Sequence, residues 1–134
     1  MATTTATLTL SSADLSSQAL AVTATSTLYK AGTTIGLDQT TGLTKKIYAA
    51  AQTNTEIVAA GAYDDNQSAR VYIKNVGSST TEYFGINLGA SSIVLGRLYG
   101  GDWMFIPYEG EQAIDISSTG TNMELEYMVI YQTV

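Results

Sequence analysis

From residue 3 to the end of the chain, apolar and polar residues alternate with a period of two, and clusters of Gly, Ser, Asn and Asp interrupt the alternation. That period sends successive side chains to opposite faces of a strand, whereas a helix needs apolar residues three and four apart. No helix-period segment of useful length competes. Thr3 to Leu10 alternates Thr with small or apolar groups. Between 19 and 29, Leu20, Val22, Ala24, Ser26 and Leu28 share one face, and Ala21, Thr23, Thr25, Thr27 and Tyr29 the other. Leu43 to Ala50 follows, with Leu43, Ile47 and Ala49 expected on one face and Lys46 and Tyr48 on the other. After the short Glu56–Ala60 strand, Val71 and Ile73 point inward from a fifth strand, and Phe84, Ile86 and Leu88 from a sixth. Ile93, Leu95 and Arg97 stand opposite Val94 and Leu98, Ile114 and Ile116 point inward, and Met123, Leu125, Tyr127, Val129 and Tyr131 share a face. Eight to ten short strands at about 8–12-residue spacing predict an all-β, antiparallel, jelly-roll-like sandwich. We read residues 1–134 as a single domain, with 1–18 a candidate extended N-terminal arm.

Charged residues make up only 13% of the 134, against a usual share of about a quarter. Thr, Ser, Ala and Gly fill the deficit, leaving a hydroxyl surface that is cheap to desolvate and suits either a subunit packed against neighbours or a plain low-charge surface of extracellular type. The net charge of −6, with six scattered Lys and Arg, excludes a basic stripe for phosphate and an anionic membrane surface alike. The chain has neither Cys nor His, which removes thiol chemistry, the commonest general base and the commonest transition-metal ligand. The opening Met1-Ala2-Thr3-Thr4-Thr5-Ala6-Thr7 lacks the charged and apolar regions of a secretory signal, and no apolar run nears the roughly 20 residues of a membrane span. A soluble protein made in the cytosol is expected.

Two places break the polar-out pattern of an antiparallel sheet with one wet face. In Trp103-Met104-Phe105-Ile106, both faces are apolar. In the last strand the second face runs Glu124, Glu126, then Met128 and Ile130. A loop, the N-terminal arm or another subunit must cover these residues. Met104, Ile106, Met128 and Ile130 are therefore the candidate subunit interface, with Trp103 and Phe105 expected in the core. The only Trp and the only Pro both lie in Leu98–Pro107, where Gly100-Gly101-Asp102 reverses the chain.

Catalytic constellations are absent from the pattern. Serines abound, but without His or a Ser-x-x-Lys arrangement none is activated. Glu109 with Glu111, and Glu124 with Glu126, stand two apart as on a solvated strand face rather than as a glycosidase pair. Asp64-Asp65-Asn66 offers oxygens for Ca²⁺ but lacks the acidic-loop spacing, and Gly100-Gly101-Asp102 is no phosphate loop. No catalytic residue, metal ligand or cofactor is assigned.

Leu8-Thr9-Leu10-Ser11-Ser12-Ala13-Asp14-Leu15, with the small-residue strand after it, resembles the start of small accessory virion proteins of tailed bacteriophages. The block Val71-Tyr72-Ile73-Lys74-Asn75-Val76-Gly77, then Leu98–Pro107, then Leu125-Glu126-Tyr127 is similar to a β-sandwich recurrent among phage head-decoration proteins. Gly100 departs from that pattern, where a proline before the Gly-acid turn is commoner. The resemblance implies a non-enzymatic decoration or cement protein on the virion's capsid surface. Its partners would be the major capsid protein and its own copies, as a homotrimer, with no nucleic acid or membrane. The alternative is a receptor- or carbohydrate-binding module of a tail or fibre.

Overall fold

The computed structural model describes residues 2–63, 67–89 and 93–132. Asp64, Asp65 and Asn66, considered above for Ca²⁺, lie outside them. The elements are β1 (Thr5–Ser12), β2 (Leu20–Thr27), β3 (Gln39–Thr40), β4 (Thr44–Tyr48), β5 (Thr55–Val58) and β6 (Ala69–Asn75), then β7 (Tyr83–Leu88), β8 (Ile93–Tyr99), β9 (Trp103–Tyr108), β10 (Ile114–Ser118) and β11 (Met123–Tyr131). No helix occurs among the described residues. The chain is an antiparallel β-sandwich, as the alternation predicts. The described residues form eleven strands, against the expected eight to ten.

From β4 onward the topology is that of a jelly roll. One sheet runs β4-β11-β6-β9 and the other β5-β10-β7-β8, so the chain changes sheets at every connection except β7 to β8. β3 and β4 share one edge, pairing with the two ends of β11. Between them the Thr41 hydroxyl accepts from the Val129 N–H at 3.0 Å, and the Thr41 N–H donates to the Val129 carbonyl at 3.0 Å, so the ladder continues across the break.

The inner faces close on each other through Val71, Ile73, Leu125 and Val129 from one sheet and Phe84, Ile86, Ile114 and Ile116 from the other, all essentially inaccessible. Burying an aliphatic or aromatic side chain of this size contributes about 1.5–3 kcal/mol. Tyr48 meets Phe84 edge-on at 6.0 Å, and Tyr63 leans on Tyr108 and Tyr131 at one end of the core.

Two face assignments need correction. In β9, Met104 pairs with Ile73 and Ile106 with Val71, while Trp103 pairs with Lys74 and Phe105 with Tyr72. Directly paired residues share a sheet face. Met104 and Ile106 therefore pack against the core, and Trp103, 52% exposed, faces out with Phe105. In β4, Tyr48 is buried opposite Met123, and Ile47 is 64% exposed. The core there takes the larger aromatic ring and leaves the aliphatic residue outside.

Leu98–Pro107 is a corner between the two sheets. The Asp102 N–H donates to the Tyr99 carbonyl at 2.9 Å, and the Asp102 carboxylate accepts from the Tyr99 N–H at 3.0 Å. A Cβ at Gly100 would lie 2.6 Å from backbone atoms of Ser78 and Ser79, and the Gly100 N–H donates to the Ser79 carbonyl. Proline, which has no N–H, cannot replace it there. Buried Asn75 locks the corner: its side-chain amide donates to the Leu98 carbonyl at 2.8 Å, tying β6 to the opposite sheet, and its backbone bonds Gly101 and Asp102.

The Tyr108 hydroxyl donates to the Gln112 carbonyl at 2.6 Å. Burial first, then the neighbouring Tyr63, Glu109 and Glu56, push its pKa from 10.0 to about 12. Between those values the unfolded chain releases this proton and the folded chain retains it. The contribution to stability is therefore complete below pH 10 and disappears as pH rises to 12. Denaturant midpoints should fall across this window, and less steeply for Tyr108→Phe. Equal slopes for the two proteins would contradict the assignment.

Candidate functional site

Among the described residues, β1 and β2 pair only with each other, in a register of eight facing residues from Thr5↔Thr27 to Ser12↔Leu20. Eight residues of strand span about 27 Å. The segment 1–18, expected as an extended arm, thus supplies the first strand of a two-stranded arm that runs on to Thr27. Alternation gives the arm two unlike faces. Ala6, Leu8 and Leu10 lie beside Ser26, Ala24 and Val22 on one; Thr5, Thr7 and Thr9 lie beside Thr27, Thr25 and Thr23 on the other. The Thr7 and Thr25 hydroxyls hydrogen-bond at 3.1 Å across the second face.

The root of the arm is fixed. Leu28 and Leu37 are buried, the Leu28 N–H donates to the Thr4 carbonyl at 2.9 Å, and the Leu37 N–H donates to the Leu28 carbonyl at 3.0 Å. Gly36 lies so close to the Ala2 backbone that a Cβ would collide with the Ala2 carbonyl oxygen. Lys30 Nζ reaches Asp38 Oδ2 at 2.6 Å.

From this root the arm crosses the outer face of β11, β6 and β9. Ala2, Thr4, Ala6, Leu28 and Leu37 share two clefts with Met128 and Ile130, so the chain's own N-terminal segment covers that pair. Further along, the arm stands off the sheet and leaves an open groove of about 640 Å³. Leu8, Ala24 and Leu28 form one wall; Tyr72, Trp103 and Phe105 form the other, with Arg70 and Lys74 beside them. The Tyr72 hydroxyl donates to Glu126 Oε1 at 3.0 Å, while Lys45 Nζ lies 3.6 Å from Glu126 Oε2. Partial burial, the bond to the carboxylate and its charge all raise the Tyr72 pKa, so the phenol stays a neutral donor.

The four candidate interface residues therefore separate. Met104 and Ile106 belong to the core side, and Met128 and Ile130 lie beneath the arm root. Glu124 and Glu126 share the outer face of β11, whereas Glu109 and Glu111 fall in the connection after β9 rather than on a strand. Among the described residues no group of three or more His, Cys, Asp or Glu is placed to hold a metal ion.

A second surface escapes the sequence reading. β8 is a sheet edge, and its Ile93, Val94 and Leu95 are 59%, 67% and 45% exposed. Three consecutive apolar residues carry the same signal as residues 103–106: a strand with no polar face. No protein-family model, curated protein or solved structure matches the chain.

The outward position of the only Trp is open to a direct check. Trp103→Ala should lower stability by under about 1 kcal/mol, while Phe84→Ala, which opens a core cavity, should cost about 3–5 kcal/mol. Tryptophan emission in the folded protein should be red-shifted and quenched by acrylamide. A blue-shifted, unquenched Trp103 would contradict the orientation.

Proposed function

We propose that this protein is a non-enzymatic structural component of a phage virion, a decoration or cement protein that binds the outside of the head where capsomers meet. Its partners are then the major capsid protein and its own copies, with a homotrimer as the assembled unit. The observation that carries this reading is the two-stranded arm, with Asp14 its single charge, standing off a small jelly roll. Such an arm adds surface for association, and it brings no catalytic group with it. Open strand edges and hydroxyl faces desolvate at low cost and can join neighbouring chains by strand addition. An acidic protein suits the outer shell better than the face that meets packaged DNA.

A virion role predicts that the protein copurifies with phage heads in hundreds of copies, and that heads lacking it rupture at lower temperature. Recovery of the protein wholly outside purified particles would refute it. One observation favours a second reading, a receptor- or carbohydrate-binding module of a tail or fibre. Trp103 is half exposed in a groove with Tyr72 and Phe105, and aromatic faces of this kind stack on apolar sugar surfaces. That reading predicts saturable binding on a glycan array, lost on Trp103→Ala, together with a handful of copies per particle.

A further inference from the structure

A two-stranded ribbon is marginal in water and needs a third strand or a packed face to be stable. Here only the base of the arm has one. Leu8 and Ala24 line the groove against Trp103, but further out Leu10, Val22 and Leu15 are exposed at 48%, 41% and 76%. Among the described residues β1 and β2 pair only with each other, which leaves both outer edges of the ribbon open. Natural edge strands are protected from pairing by charges, Pro or bulges. From residue 2 to residue 29 the single charge is Asp14, at the tip, and there is no Pro. Nothing in the arm opposes strand addition.

The four sandwich edges differ sharply as acceptors. The β3–β4 edge carries Lys45 and Lys46, β5 carries Glu56 in a strand of four residues, and β9 carries Pro107. The run Trp103–Ile106 of β9 is uncharged and apolar on both faces too, but it leads into Pro107, whereas β8 offers Ile93-Val94-Leu95-Gly96 without a Pro and with all three apolar side chains exposed. Its first charge, Arg97, is held over the Tyr83 ring at 4.5 Å. The arm cannot be satisfied by the β8 edge of its own chain: its base lies against β6 and β9, while β8 belongs to the other sheet.

We infer that the β1–β2 arm of one copy pairs with the β8 edge of a second copy, extending the β5-β10-β7-β8 sheet by two strands across the interface. Every copy carries one donor arm and one acceptor edge, so the two surfaces are matched one to one without a further partner. The contact is head-to-tail, and it closes into a ring or continues as a chain according to the rotation between copies. This inference specifies the homo-oligomer within the decoration reading and rests on it only there. It is tested on the isolated protein, so its failure leaves binding to heads untouched.

The test combines light scattering with cross-linking. The wild-type chain should run as an oligomer of at least twice its 14.2 kDa mass. Val94→Lys, at an exposed position, should leave the melting temperature of the sandwich unchanged and return the protein to 14.2 kDa. Because the chain has no Cys, single cysteines report cleanly. A Thr23→Cys protein mixed with a Leu95→Cys protein should give a covalent heterodimer with a short bis-maleimide. A Thr23→Cys and Ile47→Cys mixture should give none. A monomeric wild type, an oligomer that survives Val94→Lys, or equal cross-linking to Ile47→Cys would overturn the inference.

Discussion

The register of β9 and β11 on β6 is the constraint on which the rest of the molecule depends. With Ile73 opposite Met104 on one side and Tyr127 on the other, Val71 and Ile73 meet the opposite sheet, and every second residue of three strands follows them inward. A slip of one residue would exchange the two faces of a strand. It would bring Trp103, Phe105 and Pro107 into a core filled by Met104, Ile106 and Tyr108. Asn75 fixes this register from the end of β6. Its amide reaches the Leu98 carbonyl across the sandwich, and its backbone holds Gly101 and Asp102, so β9 can begin only at Trp103. Leaving the partner of such a buried bond unpaired costs about 1–3 kcal/mol.

The same register explains what could be read from the sequence. Where a strand has one polar face, the choice was forced: Arg70, Tyr72 and Lys74 against Val71 and Ile73, or Glu124 and Glu126 against Leu125. The fold class and most of the core followed from that. β9 has no polar face, so period-two alternation could not say which pair enters. Pairing decided it, because Trp103 lies opposite Lys74 on the wet face. In β4 the two lysines fall on opposite faces, and the inward place went to Tyr48, whose ring fills the space beside Phe84. Met128 and Ile130 lie on the outer face of β11, where an apolar pair needs cover. The cover is the arm root, a long-range contact that no local pattern encodes.

That cover gives the arm its shape. Thr4, Ala6, Leu28 and Leu37 line the clefts over Met128 and Ile130, so the first few residues of the ribbon lie beside the sheet while its far half stands off. The result is a molecule with two levels of stability. The sandwich is held by a closed core, and the distal arm by cross-strand pairs alone. The apolar run at β8 is the matching deficiency on the other sheet. In the sequence, Ile93-Val94-Leu95 presents apolar side chains to both faces, and local alternation does not encode what covers the second.

Amide hydrogen exchange at two protein concentrations tests this division most directly. Amides of Val71, Ile73 and Leu125 should be strongly protected and indifferent to concentration. Those of β1 and β2 should exchange quickly when the protein is dilute and slow markedly as concentration rises and copies meet. Arm amides protected equally at both concentrations, or unprotected at both, would contradict an arm ordered by a neighbouring copy.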